Sequence, residues 1–264
     1  LPISNTLIER KGAKTGLIVT QGTRDVLTIG REIRYELYDL NLELPKPLVA
    51  EDKRLEAGER MDVEGNVVQA LAPIEMDRLM AALGKLDIDA VGVCFLHAYV
   101  NDAHEKQVEA AIRARFPKLA VSISSNIARE IREFERMSTV AANAYVQPLV
   151  ADYLDKLDTC VHNLAPKAPL RIMISSGGFT SGAAAAQTPI QLLESGPAGG
   201  VLSAMNTARN AGIDQILAFD MGGTTAKACV AVGGEPLISH SFECARSEEH
   251  TSNSSHTDIS RMPS

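Results

Sequence analysis

The chain has 264 residues, of which 45% are hydrophobic, enough for one large domain or two smaller ones with a sizeable core. A net charge of −7 argues against non-specific nucleic-acid binding, which needs a basic face. No run approaches roughly 18 uninterrupted apolar residues, so no membrane-spanning helix is expected.

The opening stretch, "LPISNTLIERKGAKTG", lacks the charged start and apolar run of a secretory signal. It also lacks an initiator methionine, as expected of a chain that begins mid-protein. Residues 3–11 read as a short helix ending at Gly12, and "KTGLIVTQG" (14–22) as a strand bounded by glycines. Thr23 could cap a helix in "RDVLTIGRE". Residues 38–60 are polar with two prolines and read as a loop, followed by a small β excursion through "MDVEGNVVQAL" that turns at Glu64-Gly65-Asn66.

"PIEMDRLMAALGKL" (73–86) has helical apolar spacing, and "IDAVGVCFLHAYV" (88–100) is a continuous apolar run, as in a strand buried on both faces. A helix follows, with Asp102 as its N-cap, and then a strand, "LAVSISSNI". A long helix is expected over about 127–159, broken near Gln147-Pro148. "APLRIMISSGG" (168–178) reads as strand then glycine loop. A further helix, capped at Ser195 or Gly196, stops near Asn210 or Gly212. Strands alternating with helices predict an α/β fold around a mostly parallel sheet.

Cys94, Cys160, Cys229 and Cys244 form no CxxC pair, and no Cys/His cluster has zinc-ligand spacing. Free thiols in a reducing, cytoplasmic compartment are the expectation. His97 and His104 flank a strand-to-helix loop, where capping and packing roles outweigh a metal pair. The alternating charges of "REIREFERMST" (129–139) read as a solvated helix face, with Arg132, Glu135 and Arg136 able instead to edge the cleft, though not as catalysts. The last 18 residues, 247–264, are polar and aperiodic, as in a disordered or foreign tail.

Three glycine clusters bear on function. "FDMGGTT" (219–225) fits neither a Walker loop nor a dinucleotide fingerprint. Apolar, β-rich sequence stands on both sides, so Gly222-Gly223 joins two strands. Such a hairpin can place backbone N–H groups and a threonine hydroxyl around a phosphate, with Asp220 within reach of magnesium. The competing reading is an ordinary tight turn. "SGPAGG" (195–200) opens a helix, where free N–H groups favour an anion; its small residues would equally allow close helix packing. "ISSGGFTSG" (174–182) is either a ligand loop or a turn.

Several stretches together resemble the hydantoinase A / 5-oxoprolinase family: "NTLIERKGAKTGLIVTQGTRDVLTIGRE", "GVCFLHAYVNDAHE", "REFERMSTVAANAYVQP", "SSGG", "ESGPAGGV" and "FDMGGTTAKACV". The resemblance spans about residues 3–246. It implies the two-lobed actin/hexokinase-like (ribonuclease H-like) ATPase superfold, incomplete here. Residues 1–190 would be the remainder of the first lobe, lacking its own phosphate hairpin. Residues 191–246 would be the crossing helix and the start of the second lobe.

The function it implies is a fragment of an ATP-dependent cyclic amide hydrolase, which opens a hydantoin or 5-oxoproline ring by phosphorylating the ring carbonyl oxygen. The alternatives are an ATP-dependent ketone carboxylase subunit and a non-catalytic nucleotide-binding subunit. ATP and Mg2+ are the implied cofactors, and a second hydantoinase-type subunit is the implied partner. Asp220 would bear on the metal or the attacking water. Gly222, Gly223, Thr224 and Thr225, with Gly196, Gly199 and Gly200, would contact phosphate. Many relatives carry Thr-Asp where this chain has Ala226 and Lys227, and a solvated Lys227 is favoured over a phosphate contact. The 264-residue chain alone is expected to be catalytically inert.

Overall fold

The structure is a computed structural model, and it describes residues 3–31, 46–221 and 226–237. Residues 247–264, Cys244 and residues 38–45 of the expected loop therefore lie outside the described residues. The chain begins with helix α1 (Ile3–Ile8), strand β1 (Thr15–Thr20) and a single turn, α2 (Val26–Ile29). A 3-10 turn at Glu51–Lys53 leads into β2 (Arg54–Ala57), followed by the β3 (Arg60–Met61) and β4 (Val67–Gln69) hairpin. Next come α3 (Pro73–Leu83), β5 (Ala90–Cys94), α4 (Ala103–Arg115), β6 (Ala120–Ile123), α5 (Ser124–Ile127) and α6 (Glu133–Leu164).

Four of these strands form one parallel sheet in the order β2-β1-β5-β6. Every residue of β1 is buried, which matches a central strand covered on both faces. Its side chains alternate between two cores. Ile18 joins Val91, Val93, Val121 and Ile123 under Leu79, Met80 and Leu83 of α3 and Val108 and Ile112 of α4. Leu17 and Val19 point the other way, to Met137 and Ala141 of α6. The result is a helix–sheet–helix sandwich, as the alternating sequence predicts.

Helix α6 also anchors a second core. Ala142, Tyr145, Val146, Val150 and Leu154 pack with Ile3 and Leu7 of α1 and with Ile190, Leu192 and Leu193. Gly12 lies flat against the Tyr145 ring; a Cβ there would land on the ring carbons. After α6 come the antiparallel hairpin β7 (Arg171–Met173) and β8 (Phe179–Ser181), then α7 (Gly182–Gln187) and α8 (Ser195–Asn210). A second antiparallel sheet follows, β9 (Gln215–Met221), β10 (Ala226–Val232) and β11 (Glu235–Pro236), in the order β11-β10-β9.

Four expectations are corrected. Pro148 does not break α6, which runs unbroken from Glu133 to Leu164. The proline removes one internal hydrogen bond, and burial of the flanking Val146 and Val150 holds the helix across it. The strand expected over 88–100 is only Ala90–Cys94, because the next two amides turn to side chains: Phe95 N donates to Glu105 (2.9 Å) and Leu96 N to Thr20 Oγ1 (3.0 Å). The stretch read as loop before residue 60 contributes β2 to the main sheet. The N-cap of α8 is Glu194, in the left-handed region, rather than Ser195 or Gly196. Among the described residues no helix is long and apolar enough to cross a membrane.

Candidate functional site

The glycine stretch at 219–225 joins two strands. β9 and β10 pair antiparallel from Gln215↔Val232 to Met221↔Ala226, which leaves residues 222–225 as the connection. Gly222, Gly223, Thr224 and Thr225 themselves lie outside the described residues. Asp220 stands at the penultimate position of β9, is exposed, and faces Lys227 across the ladder. The far end of β10 closes through Gly233-Gly234, both at positive φ (64° and 79°), where side chains other than glycine are strained.

Lys227 is not a solvated side chain. Its ammonium pairs with Glu194 Oε2, and its side chain is only 15% exposed. Glu194 also accepts the Ser4 hydroxyl at Oε1 (3.2 Å). The start of α8 is thereby tied both to strand β10 and to the N-terminal helix. The α8 glycines differ among themselves. Gly196 and Gly200 have open space where a Cβ would point, whereas a Cβ on Gly199 would stand 2.8 Å from Met173 Sδ on β7. Close packing therefore accounts for Gly199 and leaves Gly196 and Gly200 without a packing reason.

A second polar group lies at the carboxyl ends of the parallel strands. The strand order reverses between β1 and β5, the kind of place where open α/β sheets bind ligands. Here most of the polar side chains pair with one another, while Ser125 Oγ and Arg136 Nε are buried without a hydrogen-bond partner among the described residues. The Thr20 hydroxyl donates to Glu59 Oε1, and His104 Nδ1 lies 2.7 Å from Glu59 Oε2. Glu105 accepts from the amides of Phe95 and Ser125, each at 2.9 Å, and from the Ser124 hydroxyl at 2.5 Å. Burial pushes the Glu105 carboxyl up, and these donors pull against it.

Arg136, expected on a solvated face, is 1% exposed. It donates to Phe95 O (2.9 Å) and to Ser124 Oγ, and stands over the Tyr99 ring. Sequence reasoning missed this network. A charge pattern on a helix does not reveal which turn is covered, and its partners are scattered from residue 20 to 136.

His97 and His104 form no metal pair: His104 goes to Glu59, and His97 stacks edge-on to Tyr99. Among the described residues no group of three or more His, Cys, Asp or Glu could hold a metal. Cys94, Cys160 and Cys229 are free thiols, with Cys160 exposed and the other two buried.

Comparison with known proteins bears on both halves of the chain. The family model described as Hydantoinase/oxoprolinase N-terminal region matches residues 3–116, and the one described as Hydantoinase/oxoprolinase matches residues 136–261. An uncharacterized protein of Methanocaldococcus jannaschii is 37% identical over 87% of this chain and 34% of its own length. The caprolactamase alpha subunit of Pseudomonas jessenii is 29% identical over 92% of this chain and 35% of its length. The 5-oxoprolinase 1 of Arabidopsis thaliana is 30% identical over 84% of this chain and 19% of its length.

Two solved structures share the fold. The ATP-dependent caprolactamase of Pseudomonas jessenii superposes with a TM-score of 0.87 at 27% identity, over 97% of this chain and 37% of that one. Nucleotide-free acetone carboxylase superposes with a TM-score of 0.79 at 25% identity, over 94% of this chain and 36% of that one. The present chain thus spans about a third of the length of the first relatives it matches. Two ordered family matches, the parallel sheet and both superpositions agree that this chain is a member of the hydantoinase/oxoprolinase family, with its actin/hexokinase-like fold.

Proposed function

We propose that this chain is part of an ATP-dependent hydrolase of cyclic amides, of the hydantoin- or 5-oxoproline-opening kind, and that β9, β10 and the turn between them form its phosphate hairpin. The observation that carries the reading is the ladder itself. It places an exposed Asp220 two residues before the connecting stretch Gly222, Gly223, Thr224 and Thr225. ATP dependence in a caprolactamase of the same fold supports it. In this reading the turn amides and the Thr224 hydroxyl hold phosphate oxygens, and the open backbone at Gly196 and Gly200 lines the opposite approach.

The residues present fit a magnesium ion. Asp220 is an exposed carboxylate that makes no ion pair among the described residues. It would hold the cation directly or through water. Magnesium, when bound, would neutralise charge on the transferred phosphoryl group. Phosphorylation of a ring carbonyl oxygen makes the carbon easier for water to attack, and in this reading Asp220 would orient that water.

The same reading divides the chain near residue 190. The parallel sheet belongs to a first lobe, α8 is the crossing segment, and β9 opens a second lobe. Residues 247–264 are left out of both lobes. A second subunit completes the enzyme, supported by the alpha-subunit designation of the caprolactamase relative. The likeness to acetone carboxylase favours one further reading, a ketone carboxylase subunit.

The test is Asp220→Asn in the full-length protein with its partner subunit. Magnesium-dependent ATP hydrolysis should be lost while the melting temperature holds. Turnover at the wild-type rate by the folded variant would refute the role. Substrate-stimulated ATP hydrolysis that requires bicarbonate would favour the carboxylase.

A further inference from the structure

Asp220 and Lys227 are directly opposed across β9 and β10. Opposed side chains in an antiparallel pair share one face, with Cβ atoms about 5 Å apart. The backbone therefore does nothing to keep the lysine ammonium from the aspartate. The side chain instead runs to Glu194, whose carboxylate is withdrawn from solvent, with 8% of the side chain exposed. Glu194 holds a left-handed backbone conformation, φ 61°, which carries a conformational cost in any residue but glycine. Its other oxygen is fixed by Ser4. The carboxylate that receives Lys227 is thus held from two sides.

We propose that Glu194 is a positioning residue for the cation site at Asp220: it holds Lys227 and so keeps the ammonium from neutralising Asp220. The inference rests on the hairpin reading above. An ammonium paired with a carboxylate repels an incoming divalent cation and occupies the same oxygens. With Glu194 in place, Lys227 is neutralised at the start of α8, and Asp220 keeps its charge free for the metal. Replacing Glu194 by glutamine removes that anion and leaves Asp220 as the carboxylate across the strand.

The experiment measures Mn2+ binding to the full-length protein in the presence of ATP by electron paramagnetic resonance, with melting temperatures recorded alongside. Glu194→Gln should weaken Mn2+ binding roughly tenfold, the scale of one added charge interaction at a carboxylate. Adding Lys227→Gln to Glu194→Gln should bring affinity back to within about twofold of wild type. A purely structural role at the helix start would give a loss that Lys227→Gln does not repair. Wild-type affinity in Glu194→Gln, or no recovery in the double variant, overturns the proposal.

Should Glu194→Gln fail to fold, Lys227→Gln alone carries the test; it must bind Mn2+ at least as tightly as wild type, and weaker binding overturns the proposal. A wild-type protein whose Mn2+ site ignores Asp220→Asn overturns the hairpin reading and this inference together. A site that needs Asp220 yet ignores Glu194 overturns this inference alone.

Discussion

His104 reaches back across 45 residues to Glu59, Nδ1 2.7 Å from Oε2, with both side chains out of solvent. With Glu59 ionised, its oxygen only accepts and Nδ1 is the donor of this contact. The other carboxylate oxygen takes the Thr20 hydroxyl, which in turn receives the Leu96 amide. One buried side chain thus fastens α4 to β1 and to the chain leaving β5. Glu59→Ala strands two buried donors at once and should cost about 3 kcal/mol, read from urea unfolding. A double-mutant cycle of Glu59→Gln with His104→Ala should show non-additive losses; additive losses would mean that the contact contributes nothing.

Gly12 owes its identity to Tyr145. A methyl group there meets the ring of a side chain that is itself packed in the α6 core. Gly12→Ala should destabilise by about 1–3 kcal/mol through overpacking. The paired change Gly12→Ala with Tyr145→Leu should recover part of that loss in thermal melts.

The free thiols should separate by burial. Burial pushes the Cys94 thiol up to about 12, so at pH 8 almost none of it is thiolate. Cys160 is exposed. Iodoacetamide at pH 8, followed by peptide mass mapping, should modify Cys160 in the native protein and spare Cys94. In denaturant both should react. Native labelling of Cys94 would show that the β5 end opens to solvent.

One face of the β9–β10 ladder is apolar and open. Leu217, Phe219 and Met221 are 62%, 63% and 72% exposed, and Val230 and Val232 continue the patch opposite them. Such a face promotes self-association. In the 264-residue chain, Leu217→Lys with Phe219→Lys should raise solubility without lowering the melting temperature, since neither side chain packs inward. Light scattering against concentration gives the measurement.

The α/β order was legible because β1, β5 and β6 are short apolar runs and α3 and α4 carry helical spacing. β2 was not: "RLEA" alternates weakly, and its place in the sheet comes from pairing with Leu17–Thr20. That strands flank residues 222–225 could be read from the apolar sequence on either side of the glycine pair. The Glu194–Lys227 pair could not, because 33 residues separate partners that only the packing of α8 on β9 and β10 brings together. Arg136 was misread for a similar reason, since its guanidinium is buried by strand ends that no local pattern announces.

Helix α6 is one geometric element with two thermodynamic halves. From Arg136 to Gln147 every residue is buried; beyond Pro148 only Val150 and Leu154 are, and Leu164 is 82% exposed. Proline has no amide to link the two stretches at that point. Amide hydrogen exchange along the helix should therefore fall into two regimes. The residues before Pro148 should exchange only with global unfolding. Those from about 155 onward should exchange through local fraying that leaves the parallel sheet intact. The slow half lies against the sheet and the fast half projects from it, so a single helix would carry the most and the least protected amides of the same lobe.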